Sequence, residues 1–122
     1  MIKNFFLVGV GGGIGSMLRY GVQLLYNKNF PAGTLLVNIA GSLLIGVAVG
    51  ISLKNEAFAA NWKLFIASGI CGGFTTFSAF TLENILLLQQ GKYLMAAFYI
   101  VLSMLLGLAA VLLGVKISGT VL

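Results

Sequence analysis

Residues 69–80 read GICGGFTTFSAF, and they lie inside a long apolar run. The stretch sets adjacent glycines, Gly72 and Gly73, beside adjacent threonines, Thr75 and Thr76. Ser78 and three phenylalanines are close by, with no charge among them. Glycine and β-branched threonine are poor helix formers. A spanning helix is therefore expected to break near Gly72–Ser78, freeing backbone carbonyls and amides. Freed backbone at membrane depth is tolerated only against protein, water or an ion. Broken helices in transporters turn this to use: helix N-termini attract anions, and unwound carbonyls coordinate Na⁺.

The composition around this stretch supports a membrane setting. The chain has 122 residues, 60% hydrophobic and 7% charged, where a soluble domain carries roughly 25% charged residues. It has no histidine and two acids, Glu56 and Glu83. The net charge of +5 does not indicate nucleic acid. Its basic residues (Lys3, Arg19, Lys28, Lys54, Lys63, Lys92, Lys116) are scattered at the ends of apolar runs, leaving no basic face to track phosphates. They read as interfacial anchors. A lone Cys71 excludes an internal disulfide, and zinc sites want about four ligands that this chain does not supply.

Four apolar segments stand out, at about 5–26, 33–53, 62–90 and 93–116. A span needs about 20 residues, so the third has slack for a distortion. The expected fold is all-α: one four-span transmembrane domain over residues 1–122, with the third helix broken near its middle. The first segment, with Lys3 ahead of an apolar run, is long for a signal peptide and lacks an A-x-A-like site, so it reads as a span. Pro31 suits a helix start, Asn61 a cap for a helix beginning at Trp62, and Gly91 a helix end. Short linkers imply antiparallel neighbours. Arg19 costs about 2.5–3.5 kcal/mol at a helix centre, and the Leu, Ile, Phe and Val residues of the first span outweigh it. Its side chain must then face water, a partner or an anion. Lys3, Lys54, Lys63 and Lys116 fall on one side, and Lys28 and Lys92 on the other, joined by Arg19 if it snorkels there. Such a weak bias permits insertion in both orientations.

GVGGGIG at 9–15 lacks G-x-G-x-x-G spacing, and no strand precedes it, so a nucleotide loop is excluded. Gly9/Gly13, Gly11/Gly15, Gly46/Gly50 and Gly69/Gly73 are instead G-x-x-x-G pairs, which bring helices close together. Thr34, Asn38 and Ser42 recur every four residues along one face of the second span. Tyr99, Ser103 and Gly107 do the same in the fourth, and Ser16, Arg19 and Gln23 cluster in the first. Polar groups in a span often only join helices, but a buried Asn38 needs partners for both donors and acceptors. Three such faces with almost no acid suggest a donor-lined path for an anion. Phe74, Phe77 and Phe80, at i, i+3 and i+6, form a stripe that is either packing or, through its positive ring edges, an anion contact. Glu83, the one acid within a span, is expected to hydrogen-bond Asn38 or a hydroxyl.

GGGIGSMLRY (11–20), GTLLVNIAGSLLIG (33–46) and GICGGFTTFSAF (69–80) closely resemble the signature segments of the Fluc/CrcB-type fluoride channels, across essentially the whole chain. That resemblance implies an antiparallel, dual-topology homodimer in the cell membrane. It implies passive fluoride export through two pores and a central structural Na⁺. It assigns Asn38, Phe77 and Phe80 to the pore and Arg19 to the vestibule. Thr34, Tyr99 and Ser103 fall on a polar track, with Ser78 in the broken segment. The backbone carbonyls of Gly72 and Thr75 are assigned to Na⁺. Gly107 stands where a further hydroxyl can follow Ser103. The physical logic agrees: four helices are too few to close a pore alone, and balanced loops permit an antiparallel pair. Two rivals differ in kind. Small proton-coupled multidrug transporters share the size and span number, but resemble one another around a glutamate in the first span, and residues 1–55 contain no acid. A non-transporting assembly protein held by G-x-x-x-G contacts is the other.

Overall fold

The computed structural model describes residues 1–119. Four helices are long and apolar enough to cross a membrane. Helix α1 runs Ile2–Tyr26 and α2 Ala32–Lys54, joined by a polar turn. Pro31 stands just ahead of α2, and its carbonyl accepts from Leu35 N at 3.1 Å. A short helix, α3 (Glu56–Asn61), fills the second linker. Its cap is Asn55, whose Oδ1 accepts from Phe58 N at 3.0 Å. Asn61 therefore ends a helix rather than opening the third span, because Asn55 is the linker's first capping residue and starts the helix earlier.

The third span, Leu64–Gln89, is distorted twice. It begins as a π-helical segment, Leu64–Cys71, whose wider turn uses part of the slack of a long span. One α-turn follows, α4 (Gly72–Phe74), then a break, then α5 (Phe77–Gln89). The extended residues are Thr75 (φ −86°, ψ 154°) and Thr76 (φ −149°, ψ 125°). Gly72 and Gly73 stay helical, so the β-branched pair carries the break. Gly91, at φ +76°, turns the chain into α6 (Tyr93–Ile117).

The glycines explain the helix pairings. A Cβ on Gly15 would run into the Ile70 carbonyl, and one on Gly73 into the Gly12 carbonyl. Helix α1 thus crosses the third span at backbone contact through Gly11, Gly15, Gly69 and Gly73. Gly46 of α2 and Gly114 of α6 bring those two helices to backbone contact, and Gly50 packs against Ser118 just past the end of α6. A Cβ on Gly9 or Gly13 would meet nothing within 4 Å among the described residues, so that pair brings no described helix close. The core lies near the α5–α6 hairpin, where Leu35, Leu87, Ala96 and Tyr99 are buried with Phe30 and Phe80 against them.

Candidate functional site

The break leaves backbone groups that must find partners, and the sequence-predicted polar residues supply them. Thr76 N–H donates to Asn38 Oδ1 at 2.8 Å, and Asn38 Nδ2 donates back to Thr76 O at 3.2 Å. The carboxamide of α2 stands in for a missing helical turn. Gly73 O, which loses its helical partner, accepts from Arg19 Nε at 3.0 Å, with Ser16 Oγ at 3.5 Å. Thr76 caps α5, its Oγ1 accepting from Ala79 N at 3.2 Å. Thr75 Oγ1 turns back to Cys71 O at 2.8 Å. Two neighbouring helices, α1 and α2, therefore hold one break, and Arg19 meets a carbonyl while its terminal NH₂ groups stay unengaged by the described residues.

Beside the break is a cavity of about 370 Å³. Asn38 and Ser42 of α2 line it, with Gly72, Thr75, Phe77 and Phe80 of the third span and Ser103 and Gly107 of α6. Ser103 Oγ is buried and has no hydrogen-bond partner among the described residues. Phe80 is half-buried, its ring centroid 5.0 Å from that of Tyr99 and 6.0 Å from that of Phe77. Phe77 is 76% exposed. Phe74 lies across the break and turns toward Gly41, so the three phenylalanines do not form one helical stripe. Ser78 is exposed, 3.4 Å from Thr76 Oγ1.

Thr34 and Tyr99 belong to a second cluster, nearer the loop end. Both are fully buried. Glu83 Oε2 accepts from Thr34 Oγ1 at 2.7 Å and from Asn27 Nδ2 at 2.9 Å, and Oε1 accepts from Tyr99 OH at 2.9 Å. Gln23 Nε2 adds a bond to Thr34 Oγ1 at 3.1 Å. Glu83 thus bonds hydroxyls, as expected, but not Asn38, whose amide the break consumes. Asn27 was missed from the sequence because it read as a turn residue. Its Oδ1 accepts from Thr34 N at 3.0 Å, so it joins the start of α2 to the glutamate. A polar residue immediately after a span is the signal that pointed to it. A further cavity of about 260 Å³ borders this cluster, lined by Asn27, Lys28, Glu83 and Lys92 among others.

No three His, Cys, Asp or Glu side chains come together among the described residues. The donors on offer to a cation are backbone oxygens at the break. Gly72 O lacks its helical acceptor role because Thr76 N–H is taken by Asn38, and Thr75 sits at the extended end of α4. Gly72 is exposed on the chain's surface, with only Ala67 O near a would-be Cβ, at 3.9 Å. Neutral carbonyl oxygen suits a hard, weakly charged cation such as Na⁺.

Four spans, one broken and bridged to its neighbours by polar side chains beside a cavity, define a multi-pass helical membrane protein of the kind that lines a pathway with irregular backbone. The chain belongs to the CrcB family: the model described as "CrcB-like protein, Camphor Resistance (CrcB)" matches residues 6–115. A protein of Azobacteroides pseudotrichonymphae named "Fluoride-specific ion channel FluC" is 50% identical over 93% of this chain and 94% of its own length. Proteins of the same name from Flavobacterium psychrophilum and Methylobacterium nodulans are 47% and 44% identical, covering 96% and 88% of this chain and 98% and 90% of theirs.

Proposed function

We propose that this protein is a fluoride-selective channel that lets fluoride leave the cell passively and so relieves its toxicity. The observation that carries the reading is the buried Ser103 hydroxyl, without a partner among the described residues, in the cavity shared with Asn38, Phe77 and Phe80. A hydroxyl without an acceptor costs free energy when buried, and a small anion supplies one. Asn38 spends one amide hydrogen on Thr76 and keeps the other. Ring edges of Phe77 and Phe80 add partial positive charge. Beyond the cavity, Thr34 and Tyr99 carry further hydroxyls, whose protons Glu83 engages, and Arg19 lies beyond the break. The relatives' name agrees with this chemistry. HF enters from acid surroundings and ionises inside, so a passive anion path suffices, and the chain acts as a conduit rather than an enzyme.

The reading includes a second copy of the chain in antiparallel orientation. Phe77 projects from the surface at 76% exposure, so the cavity is walled on that side only when something covers it. A copy related by a two-fold axis through the exposed Gly72 would bring together two sets of Gly72 and Thr75 carbonyls, about four oxygens for one Na⁺. That ion would stabilise the pair by binding only the assembled form.

Flux from liposomes tests the function. Purified protein loaded with fluoride should release it without a proton gradient. Proton-driven uptake of an organic cation would indicate a multidrug transporter instead, and no flux of either kind would indicate an assembly role.

A further inference from the structure

At the opposite end from Glu83, the start of α1 lies beside the start of the third span. Between them is a cavity of about 400 Å³ lined by Lys3, Leu7, Asn61, Trp62 and Phe65. Its lining is graded. Lys3 and Asn61 are polar, while Leu7 and Phe65 each lie about one helical turn further into their spans. Trp62 is 56% exposed, and tryptophan favours the membrane–water boundary. The charge at this end is one-sided: Lys3, Lys54, Lys63 and Lys116 face a single acid, Glu56. Lys54 is committed, its Nζ donating to Ser118 O. Lys3 makes no hydrogen bond or ion pair among the described residues. An unengaged cation above an apolar groove at the boundary matches an amphiphile with an anionic head.

We propose that this groove seats an anionic phospholipid, its phosphate against Lys3 and Asn61 and one acyl chain along Leu7 and Phe65. Free phosphate would satisfy only the polar half. An antiparallel second copy would present its Lys28 and Lys92 end here, like charge against like. Lipid has both the matching sign and the matching length. In a pair of opposite orientation, each leaflet would carry one such site.

Trp62 is the only tryptophan, so indole fluorescence reports on the surroundings of this one side chain, which lines the groove. The full-length protein is reconstituted in phosphatidylcholine vesicles containing either phosphatidylglycerol or phosphatidylcholine brominated on an acyl chain, which quenches a neighbouring indole. Quenching as a function of brominated fraction should give a preference for phosphatidylglycerol of about fivefold, the factor that one lysine contributes at a charged membrane surface. Lys3→Gln should bring the ratio close to one, Lys28→Gln at the other end should leave it unchanged, and excess inorganic phosphate should not displace the lipid. Equal quenching by the two lipids in the unmodified protein overturns the proposal, whatever Lys3→Gln does. So does the absence of quenching by either, which would mean that protein covers the groove, or loss of the preference on adding phosphate.

Discussion

Asn38 and Thr76 are joined through both edges of the asparagine carboxamide, at 2.8 Å and 3.2 Å. A side chain of α2 thereby occupies the place of a peptide unit in the interrupted third span. The break is held open by a specific partner, and that partner also lines the cavity. Asn38→Ala leaves Thr76 N–H and C=O without partners, which costs about 1–3 kcal/mol for each buried group left unmade. Asn38→Asp keeps an acceptor for Thr76 N–H but sets a negative charge against Thr76 O and against any anion in the cavity. Thermal melting in detergent should show Ala well below wild type, and fluoride flux should nearly vanish in Asp. Wild-type stability in Asn38→Ala would remove the clamp, and wild-type flux in Asn38→Asp would remove Asn38 from the path.

The two cavity phenylalanines should separate by measurement. Phe80 packs on Tyr99 at 5.0 Å within the core, while Phe77 is largely exposed. Phe80→Ile loses an aromatic pair worth about 0.5–1.5 kcal/mol, so its melting temperature should fall. Phe77→Ile should leave the chain's own stability nearly untouched. Both substitutions keep apolar bulk and remove the positive ring edge, so both should cut fluoride flux sharply. If both conduct like wild type, the rings are packing and the pore assignment fails.

Glu83 gathers three donors from three elements: Asn27 after α1, Thr34 of α2 and Tyr99 of α6. Glu83→Ala removes the only acceptor that Tyr99 OH has among the described residues and orphans a hydroxyl that is fully buried. The expected loss is about 1–3 kcal/mol for each donor left unmade. Glu83→Gln keeps one acceptor oxygen and offers an NH₂ that the Tyr99 or Thr34 oxygen can accept, so its loss should be smaller. Melting both variants decides the matter. Equal and negligible losses would show that the cluster does not hold α2, α5 and α6 together.

The spans were legible in the sequence because hydropathy over about 20 residues is set by lipid thickness, and each of the four spans satisfies it alone. The break was legible too, but not its residues. Gly72 and Gly73 look like the weak point by propensity. They remain helical, with Gly73 packed by its lack of a side chain against Gly12, and the break falls instead at Thr75 and Thr76, which take extended backbone. Tertiary contact decided between two poor helix formers, and no local scale contains that contact. The polar face of α2 was readable as a period of four, yet its members part company: Thr34 goes to Glu83, Asn38 to Thr76, and Ser42 to the cavity. Which partner each finds depends on how the third span's break is placed, and a single helix cannot show that. Asn27 fell outside the pattern altogether because its role begins where the helical period ends.

Gly72 and Gly73 are adjacent and both helical, but their surroundings differ, and this permits a test of the proposed cation site. A Cβ on Gly73 collides with the backbone of α1 at Gly12. A backbone neighbour cannot rotate away, so Gly73→Ala should overpack the crossing at about 1–3 kcal/mol and lower the melting temperature of the protein. A Cβ on Gly72 has φ −62° and meets only Ala67 O at 3.9 Å, so the single chain accommodates Gly72→Ala. If two copies meet around a Na⁺ held by Gly72 and Thr75 carbonyls, the added methyl lies at that meeting point. Gly72→Ala should then keep wild-type helix content by circular dichroism while the dimer fraction in size-exclusion chromatography falls. In the unmodified protein the dimer should weaken when Na⁺ is replaced by N-methylglucamine, because an ion that binds only the assembled form stabilises it in proportion to its occupancy. A dimer indifferent to Na⁺ would exclude a structural cation at the break. A monomer that conducts fluoride at full rate would exclude the second copy as well.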